Sequence, residues 1–255
     1  MGDDLLSLAA PKPDARAAYG SDENQFVDLR MPKGKGPHPL AMCIHGGFWR
    51  AKYGLEYFGH ACAVLTAKGL ATANLEYRRV GNAGGGWPGT FADIRAAHRF
   101  LVQSATRYRF DPQRLVVLGH SAGGQLALCL AAREAALKAT ISLAGVVDLQ
   151  RAYELHLSHD AVVEFLGGTP AEVADHYREA DPIKLKIGAR QWLVHGGADD
   201  VVPPSFSKDY VSAKLKLKED AKLVMIAHAE HFDIVDPRSR AWAEVEKVVL
   251  RAVKA

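Results

Sequence analysis

Leu115-Val116-Val117-Leu118-Gly119-His120-Ser121-Ala122-Gly123-Gly124, followed by the helical run Gln125–Arg133, is the stretch that decides the fold. A short β-branched run turns into a helix at a Gly-x-Ser-x-Gly pentapeptide, the strand–turn–helix setting in which that pattern carries chemistry. Glycines two before and two after the serine let the chain fold back without Cβ clashes. The turn lifts the hydroxyl over the sheet edge at the positive end of a helix. Outside that setting the same five residues are a Gly-rich turn with an incidental serine.

The rest of the chain repeats the strand-to-helix rhythm. Strands are predicted at Phe26–Arg30, Leu40–His45, Ala71–Tyr77, Ala139–Ala144, Trp192–His195 and Leu223–Ala227, besides Leu115–Gly119. Thr90–Tyr108 has helical spacing behind a Thr90/Asp93 capping-box signal, and a last helix is predicted around Arg240–Val253. The prolines of Pro32–Pro39 mark a first hairpin. Such alternation predicts an α/β fold, with a doubly wound, mostly parallel sheet covered by helices on both faces. Ligands of such sheets sit beyond the carboxyl ends of the strands. Asp148–Pro182 breaks the rhythm: it is polar, and long enough for a short helical lid but too short for a second domain. One domain over residues 1–255 is the expectation.

A serine hydroxyl needs a base, and the base needs an orienting acid. Trp192–His195 runs into Gly196-Gly197-Ala198-Asp199-Asp200-Val201-Val202-Pro203, an acid on a glycine turn beyond a strand. Asp199 is the first choice and Asp200 the fallback, since either can instead cap the following helix. Leu223–Ala227 leads into His228-Ala229-Glu230-His231-Phe232-Asp233, where either histidine can be the base and His231 has the longer reach. Upstream, His45-Gly46-Gly47-Phe48-Trp49 follows a strand, and its paired glycines point backbone N–H groups at one spot. Gly46, Gly47 and Phe48, with the N–H of Ala122, are the candidates for an oxyanion hole. Trp49 and His120, beside these motifs, are assigned to the substrate pocket, as is Trp87 of the Gly84-Gly85-Gly86-Trp87-Pro88 loop, which can equally pack over the sheet edge.

The order HGGFW, GHSAGG, HGGADDVVP, HAEHFD resembles the α/β-hydrolase superfamily from about Phe26 to Val253. Within it the chain looks like small esterases and the kynurenine formamidase (arylformamidase) group, and it is also similar to the catalytic domains of prolyl-oligopeptidase-type enzymes. The resemblance implies Ser121 as nucleophile, Asp199 as acid and His231 as base, in a serine hydrolase that cleaves small acyl or aryl esters through an acyl-enzyme. Arylformamidase chemistry is the alternative, followed by a peptidase-like amide hydrolase. A non-catalytic receptor on the same scaffold would be expected to lose its serine or histidine. Phe48 stands where HGGG-type lipases have a third glycine.

Composition excludes other classes. Of 255 residues, 48% are hydrophobic and 24% charged, with a net charge of +3, which is ordinary globular material with no basic run for nucleic acid. Lys214–Lys218 alternates Lys with Leu and reads as one face of a helix or strand. Gly84-Gly85-Gly86-Trp87-Pro88 lacks the Gly-Lys-Ser/Thr ending of a phosphate loop. His156 and His159 beside Asp160 have metal-pair spacing but no further ligands, so no metal and no organic cofactor is expected. Cys43, Cys62 and Cys129 lack CxxC spacing and read as buried free thiols of a reducing compartment. The acidic start Met1-Gly2-Asp3-Asp4 and the absence of a long apolar run predict a soluble cytoplasmic protein with a small-molecule ester or amide substrate, and neither membrane nor nucleic-acid partners.

Overall fold

β4 (Ala71–Leu75) and β6 (Ala139–Leu143) are buried at every position, as strands covered on both faces must be. They belong to a parallel block completed by β3 (His38–Ile44), β5 (Phe110–His120), β7 (Arg190–Gly196) and β8 (Ala221–Ile226). β1 (Ala15–Ala18) and β2 (Phe26–Arg30) extend it antiparallel from β4, giving the order β1-β2-β4-β3-β5-β6-β7-β8. The computed structural model describes residues 2–254.

Period-two alternation divides each strand between two cores. Leu40, Met42 and Ile44 of β3 and Leu115 and Val117 of β5 enter one, while Ala41, Cys43, Val116 and Leu118 enter the other. The first core is closed by α3 (Gly89–Gln103), α5 (Ala122–Arg133) and α9 (Ser205–Lys216). The second is closed by α1 (Gly2–Leu5), α2 (Phe58–Ala67) and α10 (Trp242–Ala252). Side chains such as Ile94 and Phe58, fully buried here, contribute roughly 1.5–3 kcal/mol each by leaving water.

The chain leaves β3 for β4 on one side and then returns to β5 on the other. The strand order therefore reverses at β3/β5, the switch point beyond whose carboxyl ends sheets of this kind bind ligands, and the two glycine motifs follow these two strands. Between β6 and β7 the insertion is helical, as expected: α6 (Leu149–Glu154), α7 (Ala161–Leu166), α8 (Ala174–Ala180) and a 3₁₀ turn at Pro182–Lys184.

Several expectations are corrected. β2 and β3 form no hairpin, because β3 pairs in parallel with β4 and β5 while β2 takes the far side of β4. β1 escapes pattern reading because Ala-Arg-Ala-Ala has no β-branched residue; its edge position and the Arg16–Asp28 pair at 2.7 Å hold it. Thr90 and Asp93 cap nothing: Thr90 Oγ1 donates to the Arg78 carbonyl at 2.5 Å, and Asp93 accepts from Arg78 and Gln25. The helix predicted over Thr90–Tyr108 breaks at Ser104, so that α4 (Ala105–Tyr108) is a separate turn. Lys214 is buried, with its ammonium on the Leu185 carbonyl, whereas Leu215 and Leu217 are exposed. The helical period explains this, since Lys214 falls on the same face as Ser207, Tyr210 and Val211. No helix among the described residues is long and apolar enough to cross a membrane.

Candidate active site

β5 ends at His120, and Ser121 turns the chain at φ 55°, ψ −122°, a conformation that costs a non-glycine residue free energy. Packing enforces the turn. A Cβ on Gly123 would stand 2.1 Å from the Ile44 carbonyl oxygen, and one on Gly46 would stand 2.8 Å from the Ser121 Cβ. Only glycine allows the elbow and the β3 turn to approach this closely. Ser121 is 2% exposed.

The turns after β7 and β8 meet beside it. Asp199 Oδ2 accepts from His231 Nδ1 at 2.7 Å, and both side chains are buried. Asp199 Oδ1 accepts the backbone N–H groups of Val201 and Val202, each at 2.9 Å. His195 Nε2 lies 3.2 Å from Asp199 Oδ2 and 2.9 Å from the Val202 carbonyl. Burial alone would raise the Asp199 pKa, but the His195 and His231 hydrogen bonds outweigh it and hold the group below the usual carboxylate range. With Nδ1–H given to Asp199, His231 keeps the Nε2 lone pair free, and that nitrogen has no partner among the described residues. Asp200 and His228 are exposed and stand apart from this pair, so the geometry selects Asp199 and His231 from each doublet.

Gly47, Phe48 and Trp49 all have positive φ, at 104°, 48° and 58°, which coils the turn after β3 left-handed. Hydrogen bonding divides the four candidate oxyanion donors. The N–H of Gly46 is occupied, donating to Tyr57 Oη at 2.7 Å, so Gly46 is corrected from donor to spacer. The N–H groups of Gly47, Phe48 and Ala122 have no acceptor among the described residues. Beneath the turn, His45 stacks on Tyr77 at 4.4 Å and meets Glu76 at 3.0 Å. Burial opposes the Glu76 charge, but His45 and Arg79 together hold its pKa down.

The three pocket candidates separate as well. Trp49 is 1% exposed, stacked on Phe165 at 4.4 Å and donating to Gln125 at 3.0 Å, so it anchors the insertion to the elbow helix and lines no open surface. His120 is also 1% exposed and stands behind Ser121, with Nδ1 at 2.8 Å from Tyr57 Oη and Nε2 at 3.1 Å from the His231 carbonyl. Trp87 alone remains half-exposed; its ring stacks on Phe91, and its backbone N–H donates to the Phe165 carbonyl at 2.7 Å. Tyr57, His195 and Arg50 were missed in the sequence. His195 ends an apolar strand, where a buried imidazole is a detectable anomaly, whereas nothing local marks Tyr57. Arg50 reaches from the β3 turn to Glu164 and Ser158 of the insertion, at 2.7 and 3.0 Å.

Comparison with known proteins agrees with this architecture. The chain is 24% identical to a probable isoprenylcysteine alpha-carbonyl methylesterase of Arabidopsis thaliana, over 85% of this chain and 56% of that protein. It is 26% identical to Esterase LipC of Mycobacterium tuberculosis, over 77% of this chain and 53% of that one. It thus spans about half the length of the curated relatives it matches. Among solved structures, a truncated carbohydrate esterase from gut microbiota aligns with TM-score 0.83 at 18% identity, covering 97% of this chain and 100% of that one. A propionate-bound esterase of Thermogutta terrifontis aligns at 0.76 and 21%, covering 94% and 93%. Both likenesses show an α/β-hydrolase fold. The BD-FAE family model matches residues 27–215, well over half of the sequence, and the chain belongs to that family.

Proposed function

We propose that this protein is a serine hydrolase that cleaves carboxylic esters, with Ser121 as nucleophile, His231 as base and Asp199 as orienting acid. The observation that carries the reading is the buried 2.7 Å Asp199–His231 pair beside a serine held at positive φ. The pair fixes the tautomer that leaves Nε2 basic, and the elbow presents the hydroxyl it would deprotonate. Attack on the ester carbonyl forms a tetrahedral intermediate whose oxyanion is received by N–H groups of Gly47 or Phe48 and of Ala122. His231 then protonates the leaving alcohol, and water repeats the sequence on the acyl-enzyme.

The relatives reported above are described as esterases, which supports an ester over a formamide. The half-exposed aromatic rings of Phe48 and Trp87 are assigned to contact with small acyl or aryl groups. The three buried free cysteines fit a reducing compartment. Hydrolysis of p-nitrophenyl acetate is expected from the wild-type protein and absent from a folded Ser121→Ala variant, with loss of at least about 10³-fold in kcat. Retained turnover in that variant overturns the assignment. A kcat/KM for N-formylkynurenine well above that for aryl acetates replaces the ester with a formamide.

A further inference from the structure

A chain of buried hydrogen bonds crosses the molecule behind Ser121. The N–H of Gly46 donates to Tyr57 Oη at 2.7 Å, Tyr57 Oη stands 2.8 Å from His120 Nδ1, and His120 Nε2 stands 3.1 Å from the His231 carbonyl oxygen. Its ends fix its direction. An amide N–H only donates, so Tyr57 oxygen accepts from Gly46 and turns its own proton toward His120 Nδ1. A carbonyl only accepts, so His120 carries its proton on Nε2. One arrangement of protons satisfies every member.

That arrangement makes His120 a neutral imidazole. Burial pushes its pKa well below the ordinary value, and the adjacent His231 lowers it further. Neutrality matters because the two imidazole rings are 4.6 Å apart. A cation at His120 would oppose the imidazolium that His231 becomes on taking the serine proton. Phe232 closes the packing, its ring 5.9 Å from Tyr57 and 5.5 Å from His120.

We propose that Tyr57 and His120 are positioning residues for the reaction, coupling the turn after β3 to the backbone that carries His231. This rests on the serine-hydrolase reading above. Tyr57 occupies the Gly46 N–H, while the next N–H groups of that turn have no acceptor among the described residues. His120, immediately before the nucleophile, ties the His231 main chain to the elbow. Oxyanion donors, nucleophile and base thus share one rigid brace, and neither brace residue touches substrate.

The test uses Tyr57→Phe, which deletes one oxygen, and His120→Leu and His120→Gln, in the full chain. With p-nitrophenyl acetate, Tyr57→Phe and His120→Leu are expected to lower kcat on the order of 10- to 100-fold with KM within about threefold. The inhibition constant of phenylboronic acid, a mimic of the tetrahedral state, is expected to rise by a similar factor. Gln can accept from Tyr57 and donate to His231, so His120→Gln is expected to recover most of the loss. The Tyr57→Phe/His120→Leu double variant is expected to be little worse than its worse parent, because both cut one chain.

Folded Tyr57→Phe and His120→Leu variants with near-wild-type kcat and boronate affinity overturn the proposal. So do strictly additive losses without rescue by Gln, which would make the two residues independent packing elements. If His120→Leu does not fold, Tyr57→Phe and His120→Gln decide. Wild-type protein that neither turns over the ester nor labels at Ser121 with a fluorophosphonate overturns the hydrolase reading itself, and the brace with it. An active, labelled wild type with unaffected variants overturns the brace alone.

Discussion

Asp199, on the turn after β7, and Asp181, at the foot of the insertion, are both buried carboxylates, and they are supported in opposite ways. Asp199 accepts two backbone N–H groups and a histidine at under 3 Å, with His195 at 3.2 Å. Asp181 accepts one N–H, from Leu149 at 2.9 Å; its Oδ2 has no hydrogen bond, only the Lys184 ammonium at 3.4 Å. The first is therefore held ionised, below the ordinary carboxylate range, while burial pushes the second up to about 6. A carboxylate that must be charged is built into its own turn. One that merely anchors an insertion is left partly unsupported.

The largest expected effect falls on the well-supported group. Asp199→Asn removes the charge that holds the His231 tautomer, and kcat on p-nitrophenyl acetate is expected to fall on the order of 10²- to 10⁴-fold. Asp200→Asn, at an exposed position one residue on, is expected to stay within about threefold. Equal losses at both positions would erase the distinction the geometry draws between them.

A smaller effect, of opposite sign, belongs to Asp181. Its folded pKa of about 6 lies above the ordinary 3.8, so its proton binds more tightly in the folded chain. The stability this group contributes is complete below about pH 4 and is lost as pH rises through 6, a penalty of about 2–3 kcal/mol at neutral pH. Asp181→Asn keeps an oxygen for the Leu149 N–H and carries no charge. Urea unfolding is expected to show the variant more stable than wild type at pH 8, with the advantage shrinking toward pH 4. An advantage that does not change with pH would assign the effect to packing.

The same contrast explains what was legible in the sequence. The elbow, the acid turn and the β3 turn are local: glycines and a preceding apolar strand specify each, so spacing and order point to Ser121 and to the doublets Asp199/Asp200 and His228/His231, while the choice within each doublet needs the fold. The braces were not. Tyr57 reaches Gly46 and His120 across 11 and 63 residues of sequence, and no period or motif encodes such a contact. His120 and Trp49 were misplaced for a related reason. Adjacency to a motif says nothing about whether a side chain turns toward the crevice or into the core behind it. The insertion was legible as an interruption, but its left-handed stretch at His156, Ser158, His159 and Asp160, held in part by Arg50 through Ser158 and the His159 carbonyl, was not.

That pinning sets the smallest of the expected effects. Arg50 Nε and Nη2 meet Glu164 at 2.7 and 3.0 Å, while Nη1 and Nη2 hold Ser158 Oγ and its carbonyl at 3.0 and 2.8 Å. The pairs are partly solvated, with Arg50 26% and Glu164 46% exposed, so Arg50→Ala is expected to cost only about 1 kcal/mol of global stability. Four left-handed residues in one short loop still store strain that Arg50 helps to hold. Its removal is therefore expected to appear locally, as faster amide hydrogen exchange over residues 155–161, before it appears in the unfolding midpoint. Because the insertion rests on the β3 turn through Arg50 and Trp49, KM for aryl acetates is expected to rise a few-fold with kcat nearly unchanged. Unchanged exchange in the loop would mean that Trp49 stacked on Phe165 carries the insertion alone, and that the surface ion pairs add little to it.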